Sequence, residues 1–178
     1  QRLYELLNDM DHFFQDEVIM KEIQDLLDVN GLDLNKISND ILIFFAKEKA
    51  KKIFQPRGYV ESESIKREED FKMEKKESFF RNLLFEIKYR KGNDLNLAEI
   101  VPQVFDMIRR ATPDSFLFLI FFIESSSPPF KRQEIEFDKM LAEMEGYTKE
   151  IQKRIRLCVI PAANPVLIEQ PFFEFIKK

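Results

Sequence analysis

Four stretches of the chain carry apolar residues at spacings of three and four, which is the period of an amphipathic helix. These stretches cover residues 3–29, about 38–54, 95–111 and 131–155. Ser38 or Asn39 can cap the second stretch, and "QPRG" ends it. Pro102 lies inside the third stretch and predicts a kink or a later helix start. The pattern therefore predicts four helices, with "NGLDLN" separating the first from the second.

Strand patterns lie between and after these helices. Residues 59–91 alternate or cluster like three strands, in "YVESESIK", "EDFKMEKK" and "FFRNLLFEIKYR". The run "FLFLIFFI" at 116–123 is apolar on both faces, which is typical of a central strand covered on both sides. A short buried strand is predicted at 157–161, and a short helix or strand after Pro171.

The order of these elements predicts the fold class. Strands interleaved with helices favour an α/β domain with a mixed central sheet flanked by helices. We place this domain at residues 37–178, preceded by an N-terminal helical segment at residues 1–36. Because the longest apolar run is far shorter than the 20 or so residues of a membrane span, we expect a cytoplasmic chain with no membrane partner. The chain begins with Gln, so further domains outside this sequence are also expected.

Composition narrows the possible chemistry. The chain has 19 Phe and no Trp, and only 4 Gly, with neither a G-x-G-x-x-G motif nor a P-loop. The net charge of −4 argues against a surface that coats nucleic acid throughout, but it leaves room for a local basic cleft. The single Cys158 and single His12 exclude an internal disulfide, a cysteine-based zinc cluster and a histidine-rich metal site. We expect Cys158 to be a buried apolar side chain.

The strand predicted around 82–90 carries charges where a buried strand would carry Val and Leu. Alternate residues of a strand share one face, so Glu86 and Lys88 stand side by side, about 7 Å apart along the strand. A hairpin whose turn centres on Glu77 and Ser78 places Asp70 opposite Glu86. The same register brings four apolar side chains onto one core face: Phe71, Met73, Leu83 and Phe85.

Asp70 and Glu86 would then be like charges facing each other, which destabilises a hairpin. A divalent cation reverses the sign of that interaction. Mg²⁺ takes one or two carboxylates and keeps its other positions for water and substrate phosphate. Lys88 could steady the attacking water or the charge on the phosphate. The arrangement therefore suggests a site for Mg²⁺ or Mn²⁺ at Asp70 and Glu86.

This constellation resembles the PD-(D/E)XK nuclease superfamily, whose fold is called restriction-endonuclease-like. In that family an acid near a hairpin precedes a Glu-x-Lys on the third strand, as "EIK" (86–88) follows Asp70 here. "QVFDM" (103–107) resembles the glutamine motif of the RecB-like branch, with Gln103 matching and Met107 in place of its Tyr. The resemblance covers residues 37–125 by order of elements. It implies catalytic roles for Asp70, Glu86, Lys88 and Gln103, and a further metal-binding acid, for which Glu48 is the candidate.

The resemblance implies a metal-dependent nuclease that hydrolyses phosphodiester bonds, with nucleic acid as its partner and DNA preferred over RNA. Four other acids could serve in place of Asp70: Glu61, Glu63, Glu68 and Glu69. If the Glu86 face binds phosphate, some of four basic residues are expected to flank it: Arg90, Lys91, Arg109 and Arg110.

Other interpretations stay open. Glu86 and Lys88 could form a solvent-facing salt bridge on an edge strand, and the domain could be a non-catalytic interaction module on the same fold that has lost its metal-binding acid. A thioredoxin-like or other α/β binding domain without redox chemistry is a third possibility. The sequence does not predict an oligomeric state.

Overall fold

A computed structural model describes residues 25, 34–62, 70–90, 95–124, 130–162 and 164–177, with side chains in the first long helix described from residue 41 onward. Within these residues, no helix has both the length and the apolar character that crossing a membrane requires. The helix predicted over 3–29 and the residue His12 lie outside the described residues, apart from Asp25.

Five strands form one mixed sheet in the order β1-β2-β3-β4-β5. Their bounds are β1 Val60–Ser62, β2 Phe71–Glu74, β3 Asn82–Arg90, β4 Ser115–Ile123 and β5 Ile155–Pro161. Strands β1, β2 and β3 pair antiparallel, whereas β3, β4 and β5 pair parallel. The sheet is therefore an antiparallel hairpin region joined to a parallel half, and the predicted mixed α/β class is confirmed.

Five α-helices flank this sheet in the described residues. Their bounds are α1 Leu34–Phe54, α2 Leu97–Arg110, α3 Phe130–Ala142, α4 Lys149–Gln152 and α5 Glu169–Lys177. Helix α1 begins before Ser38, so the predicted cap at Ser38 or Asn39 is wrong; both residue types cost a helix interior only a few tenths of a kcal/mol. Helix α2 begins at Leu97 and continues through Pro102, so a later start is also wrong.

Helix α1 also runs across residue 36, where the boundary between the two predicted units was placed. The boundary itself stays a prediction, because apart from Asp25 the residues before Leu34 lie outside the described part of the chain.

The long helix predicted over 131–155 is interrupted in the structure. Residues 143–148 form a turn between α3 and α4, and Gly146 adopts a φ of 89°, which glycine reaches without steric cost. Thr148 then caps α4, its Oγ1 accepting a hydrogen bond from the Ile151 amide at 3.3 Å. The apolar spacing continued across this turn, which is why periodicity alone predicted one helix.

Strand β4 separates two hydrophobic layers. All nine of its residues are buried, as predicted for a central strand. Phe116, Phe118, Ile120 and Phe122 pack into the layer that contains α1 and α5. Leu117, Leu119, Phe121 and Ile123 pack into the layer that contains α2 and α3. The sheet is thus covered on both faces, and the charged residues of β3 lie on the face that α2 and α3 cover.

Candidate active site

The β2–β3 hairpin places Asp70 beside Glu86. Phe71 pairs with Phe85 and Met73 with Leu83, so the predicted register is confirmed. Beyond the last pair, the Asp70 amide donates a hydrogen bond to the Phe85 carbonyl at 2.9 Å. The Ile87 amide donates to Asp70 Oδ2 at 2.7 Å. Because the Ile87 nitrogen is bonded to the carbonyl carbon of Glu86, the Asp70 carboxylate lies next to the Glu86 backbone.

Glu86 is buried in the interior of the sheet. Its residue is 8% exposed, and β3 is hydrogen-bonded to β2 on one side and to β4 on the other. The Lys88 Nζ lies 2.9 Å from Glu86 Oε1, so the two charges form an ion pair. The alternative interpretation correctly predicted a salt bridge between Glu86 and Lys88. It is wrong about where the pair lies, because β3 is a central strand and the carboxylate is buried.

The burial of Glu86 has an energetic consequence. Taking a carboxylate out of water costs several kcal/mol unless a cation and hydrogen bonds compensate it. Lys88 supplies one compensating charge, and 37% of its side chain remains exposed. Asp70 is exposed at the end of the hairpin. The Glu86–Lys88 pair therefore extends from a buried carboxylate to the protein surface, where a phosphate could reach the ammonium.

The face of the sheet that carries Glu86 is also the face covered by α2 and α3. Leu84, on the same face of β3, packs into that layer, and Lys88 pairs in register with Phe121 of β4. Next along the same face, the Arg90 guanidinium lies 5.8 Å from the centre of the Phe121 ring. Lys88 and Arg90 thus make a cationic end to this face.

Gln103 and Glu48 occupy different layers. Gln103 is exposed on α2, the helix that covers the Glu86 face. Glu48 is exposed on α1, which packs against the opposite face, and its Oε1 lies 3.7 Å from the Lys51 Nζ. The roles assigned to Gln103 and Glu48 in catalysis and metal binding stay predictions.

Among the acids considered in place of Asp70, only Glu61 lies in the described residues. It bridges Lys47 at 2.6 Å and Lys51 at 3.0 Å, and the hydrogen bond from Lys47 lowers the pKa of Glu61. Glu63, Glu68 and Glu69 lie outside the described part. Glu61 therefore ties β1 to α1, whereas Asp70 is the described acid that contacts the Glu86 strand at residue 87.

The basic residues proposed for a phosphate-binding edge have varied surroundings. The Arg109 guanidinium lies 5.5 Å from the centre of the Phe105 ring, and Arg110 pairs with Asp106 at 2.9 Å. Lys91 is not among the described residues. A further basic residue, Arg154, donates to the carbonyl oxygens of Ser115, Ile108 and Thr112, so it fastens the end of α2 to β4.

Cys158 is buried, as predicted, and burial raises the pKa of its thiol to about 12. The thiol therefore stays protonated and is not a nucleophile near neutral pH.

The loop between β2 and β3 was given no role from the sequence, yet it carries Phe79, which is 85% exposed. The two adjacent phenylalanines at 79–80 could have indicated this exposed ring, but they were interpreted as part of the strand that became β3.

Comparison with known proteins adds nothing to this geometry: no family model, curated protein or solved structure matches the chain. Within the described residues, no group of three or more histidine, cysteine or acidic side chains is arranged to hold a metal ion. The candidate site therefore offers two carboxylates, Asp70 and Glu86, and a lysine.

Proposed function

We propose that this chain is a metal-dependent nuclease with a restriction-endonuclease-like fold, and that it hydrolyses phosphodiester bonds in nucleic acid, DNA in preference to RNA. The order of helix, antiparallel hairpin, third strand, helix and parallel strand is the order that this fold requires. One observation carries the proposal: the Asp70 carboxylate accepts a hydrogen bond from the Ile87 amide, on the strand that carries Glu86 and Lys88.

The donor set suits Mg²⁺ or Mn²⁺. Asp70, just before β2, and Glu86, on β3, offer hard carboxylate oxygens, and Mg²⁺ commonly uses only one or two carboxylates while substrate and water complete its shell. When bound, such an ion would polarise the phosphate and lower the pKa of a bound water. The exposed part of Lys88 is available to a phosphate oxygen, where a fixed positive charge stabilises the charge that develops during hydrolysis.

The direct test is cleavage of labelled single-stranded and double-stranded DNA and RNA with Mg²⁺ or Mn²⁺, and with a chelator. We expect metal-dependent cleavage by the wild type, reduced by at least about 100-fold in Asp70→Asn and in Glu86→Gln. Glu143→Gln, an exposed acid in the turn after α3, is the matched control and should cleave as the wild type. No cleavage of any substrate with either metal would contradict the proposal.

A second function is favoured by the ion pair itself. Since Lys88 already neutralises Glu86, the same residues could serve only to complete the sheet of a non-catalytic interaction module. The two functions differ in one comparison. A module predicts that Glu86→Gln changes stability but no activity, whereas the nuclease predicts that the variant loses metal-dependent cleavage while remaining folded.

A further inference from the structure

A cavity of about 510 Å³ opens on the opposite face of the sheet from Glu86. It lies between the β2–β3 loop, the first residues of β4 and β5, and helix α5. Its volume falls in the range of about 300–1,000 Å³ that small-molecule sites occupy. Neither Asp70, Glu86 nor Lys88 lines it. The cavity is therefore a separate feature from the candidate active site.

Aromatic rings line one part of this cavity. Phe79 is 85% exposed, and its ring lies 4.9 Å from that of Phe80 in an edge-to-face arrangement. Phe80 in turn packs edge-to-face against Phe116 at 5.2 Å. A large apolar ring left this exposed beside a concave surface offers a face on which a planar ring can stack.

Charged side chains line another part of the cavity. Four basic residues and one acid line the cavity: Arg57, Lys75, Lys153, Arg156 and Glu174. Arg156 pairs with Glu174 at 2.7 Å, whereas the solvent-exposed pair of Lys153 and Glu150, 3.8 Å apart, is weak. Among the described residues, Arg57 and Lys75 form no ion pair. In a chain with a net charge of −4, this concentration of unneutralised cations favours an anion.

The β2–β3 loop, which carries Lys75, Phe79 and Phe80, is held in place. The Tyr59 hydroxyl hydrogen-bonds to Ser78 Oγ at 2.9 Å and donates to the Phe80 carbonyl at 3.0 Å. The Lys75 amide donates to the Arg81 carbonyl at 2.8 Å, and the Lys75 ammonium lies 5.7 Å from the centre of the Tyr59 ring. A ligand would therefore meet a loop that is already ordered, which lowers the entropic cost of binding.

We propose that this cavity binds a nucleotide unit, with the base against the Phe79 ring and the phosphate at Lys75 and Arg57. The surroundings call for a planar ring joined to an anion, and the choice of a nucleotide among such ligands rests on the proposed nuclease function. The nucleotide comes either as a free monophosphate or as one unit of a single strand. In the second case, the cavity would hold a segment of the substrate away from the cleavage site.

The test measures binding in the presence of a chelator, so that catalysis does not contribute. The probes are thymidine 5′-monophosphate, thymidine and a fluorescein-labelled oligothymidylate. Calorimetry measures the binding of the first two, and fluorescence anisotropy measures the binding of the labelled oligonucleotide. Phe79→Ala should weaken binding of the monophosphate or the oligonucleotide about 5- to 150-fold. Lys75→Gln should weaken it too, and for the oligonucleotide it should lower the slope of log affinity against log salt by about 0.7 for the lost phosphate contact.

Phe173→Ala is the matched control, because this ring is 47% exposed on α5 and does not line the cavity. It should bind as the wild type, and circular dichroism should show that all variants are folded. Binding of the monophosphate identifies a free nucleotide, whereas binding of the oligonucleotide alone identifies a strand. Three results would overturn the proposal. Thymidine could bind as tightly as its monophosphate, or neither phosphorylated probe could bind. The wild type and Phe79→Ala could also bind the probes with equal affinity.

The outcome is independent of the active site. If the cavity binds no nucleotide but Glu86→Gln loses metal-dependent cleavage, only this inference fails. If the cavity binds nucleotide and no cleavage occurs with either metal, the proposed nuclease function fails while the cavity stands as a nucleotide site.

Discussion

Replacing Lys88 with alanine removes the ammonium that lies 2.9 Å from Glu86 Oε1. The Glu86 side chain, 11% exposed, would keep its carboxylate buried. Exposed ion pairs contribute about 0.2–1 kcal/mol, and breaking a fully buried pair costs about 3–5 kcal/mol. Because the Lys88 side chain is 37% exposed, the loss falls between these limits, at about 1–3 kcal/mol. For a domain of this size, that corresponds to a Tm lower by roughly 3–10 °C.

The assay is thermal melting in a chelator and again in about 10 mM Mg²⁺. If a cation binds Asp70 and Glu86, it replaces the missing lysine charge, so Mg²⁺ should raise the Tm of Lys88→Ala more than that of the wild type. With a Kd near 1 mM, the gain is about 1.4 kcal/mol. Lys139→Ala, an exposed lysine on α3 with no ion pair in the described residues, is the control and should melt as the wild type.

Two results would refute this reasoning. If Lys88→Ala melts at the wild-type temperature in the chelator, the ion pair contributes nothing and the burial of Glu86 is compensated elsewhere. If Mg²⁺ leaves the Tm of both proteins unchanged, the two carboxylates do not hold a cation.

Three further predictions concern the scaffold. Phe118→Ala should lower the free energy of unfolding by about 3–5 kcal/mol in a urea titration, because its fully buried ring stacks on the Phe85 ring at 5.2 Å. Phe173→Ala, at an exposed ring, should change this free energy by less than about 0.5 kcal/mol, and equal losses in the two variants would contradict the packing. The Cys158 thiol should resist a thiol reagent at about pH 8 until the chain is unfolded, and rapid labelling of the native protein would be inconsistent with its burial. Because Lys47 holds the pKa of Glu61 below its usual value, Glu61 stabilises the fold above about pH 4, and this contribution is lost as the pH falls further. The Tm values of the wild type and Glu61→Gln should therefore differ at pH 7 and converge in acid, and a difference that stays constant with pH would refute this prediction.

The sequence predicted the hairpin well because its register is set by alternation. A shift by one residue would turn Phe71 and Phe85 away from the core, so the apolar pattern admits few alternatives. The central strand was equally predictable, because "FLFLIFFI" has no face that could meet water. The position of Asp70 beside Glu86 followed from these two constraints.

Other features depend on contacts that a linear pattern does not contain. Alternation showed that Glu86 and Lys88 share a face, but not that α2 and α3 cover that face and bury the carboxylate. Helix α3 ends at Ala142, and the turn that follows contains Gly146 with a left-handed backbone, although the apolar spacing continues across it. The cavity beside Phe79 is lined by residues from distant segments of the chain, so no short sequence motif could predict it.

The central claim is that Asp70 and Glu86 together hold a divalent cation. Titration with Mn²⁺, followed by electron paramagnetic resonance of the free ion, measures this directly without requiring a substrate. We predict one bound Mn²⁺ per wild-type chain, loss of that binding in both Asp70→Asn and Glu86→Gln, and wild-type binding in Glu143→Gln. A wild type that binds no Mn²⁺, or an Asp70→Asn variant that binds it as tightly as the wild type, would contradict the account.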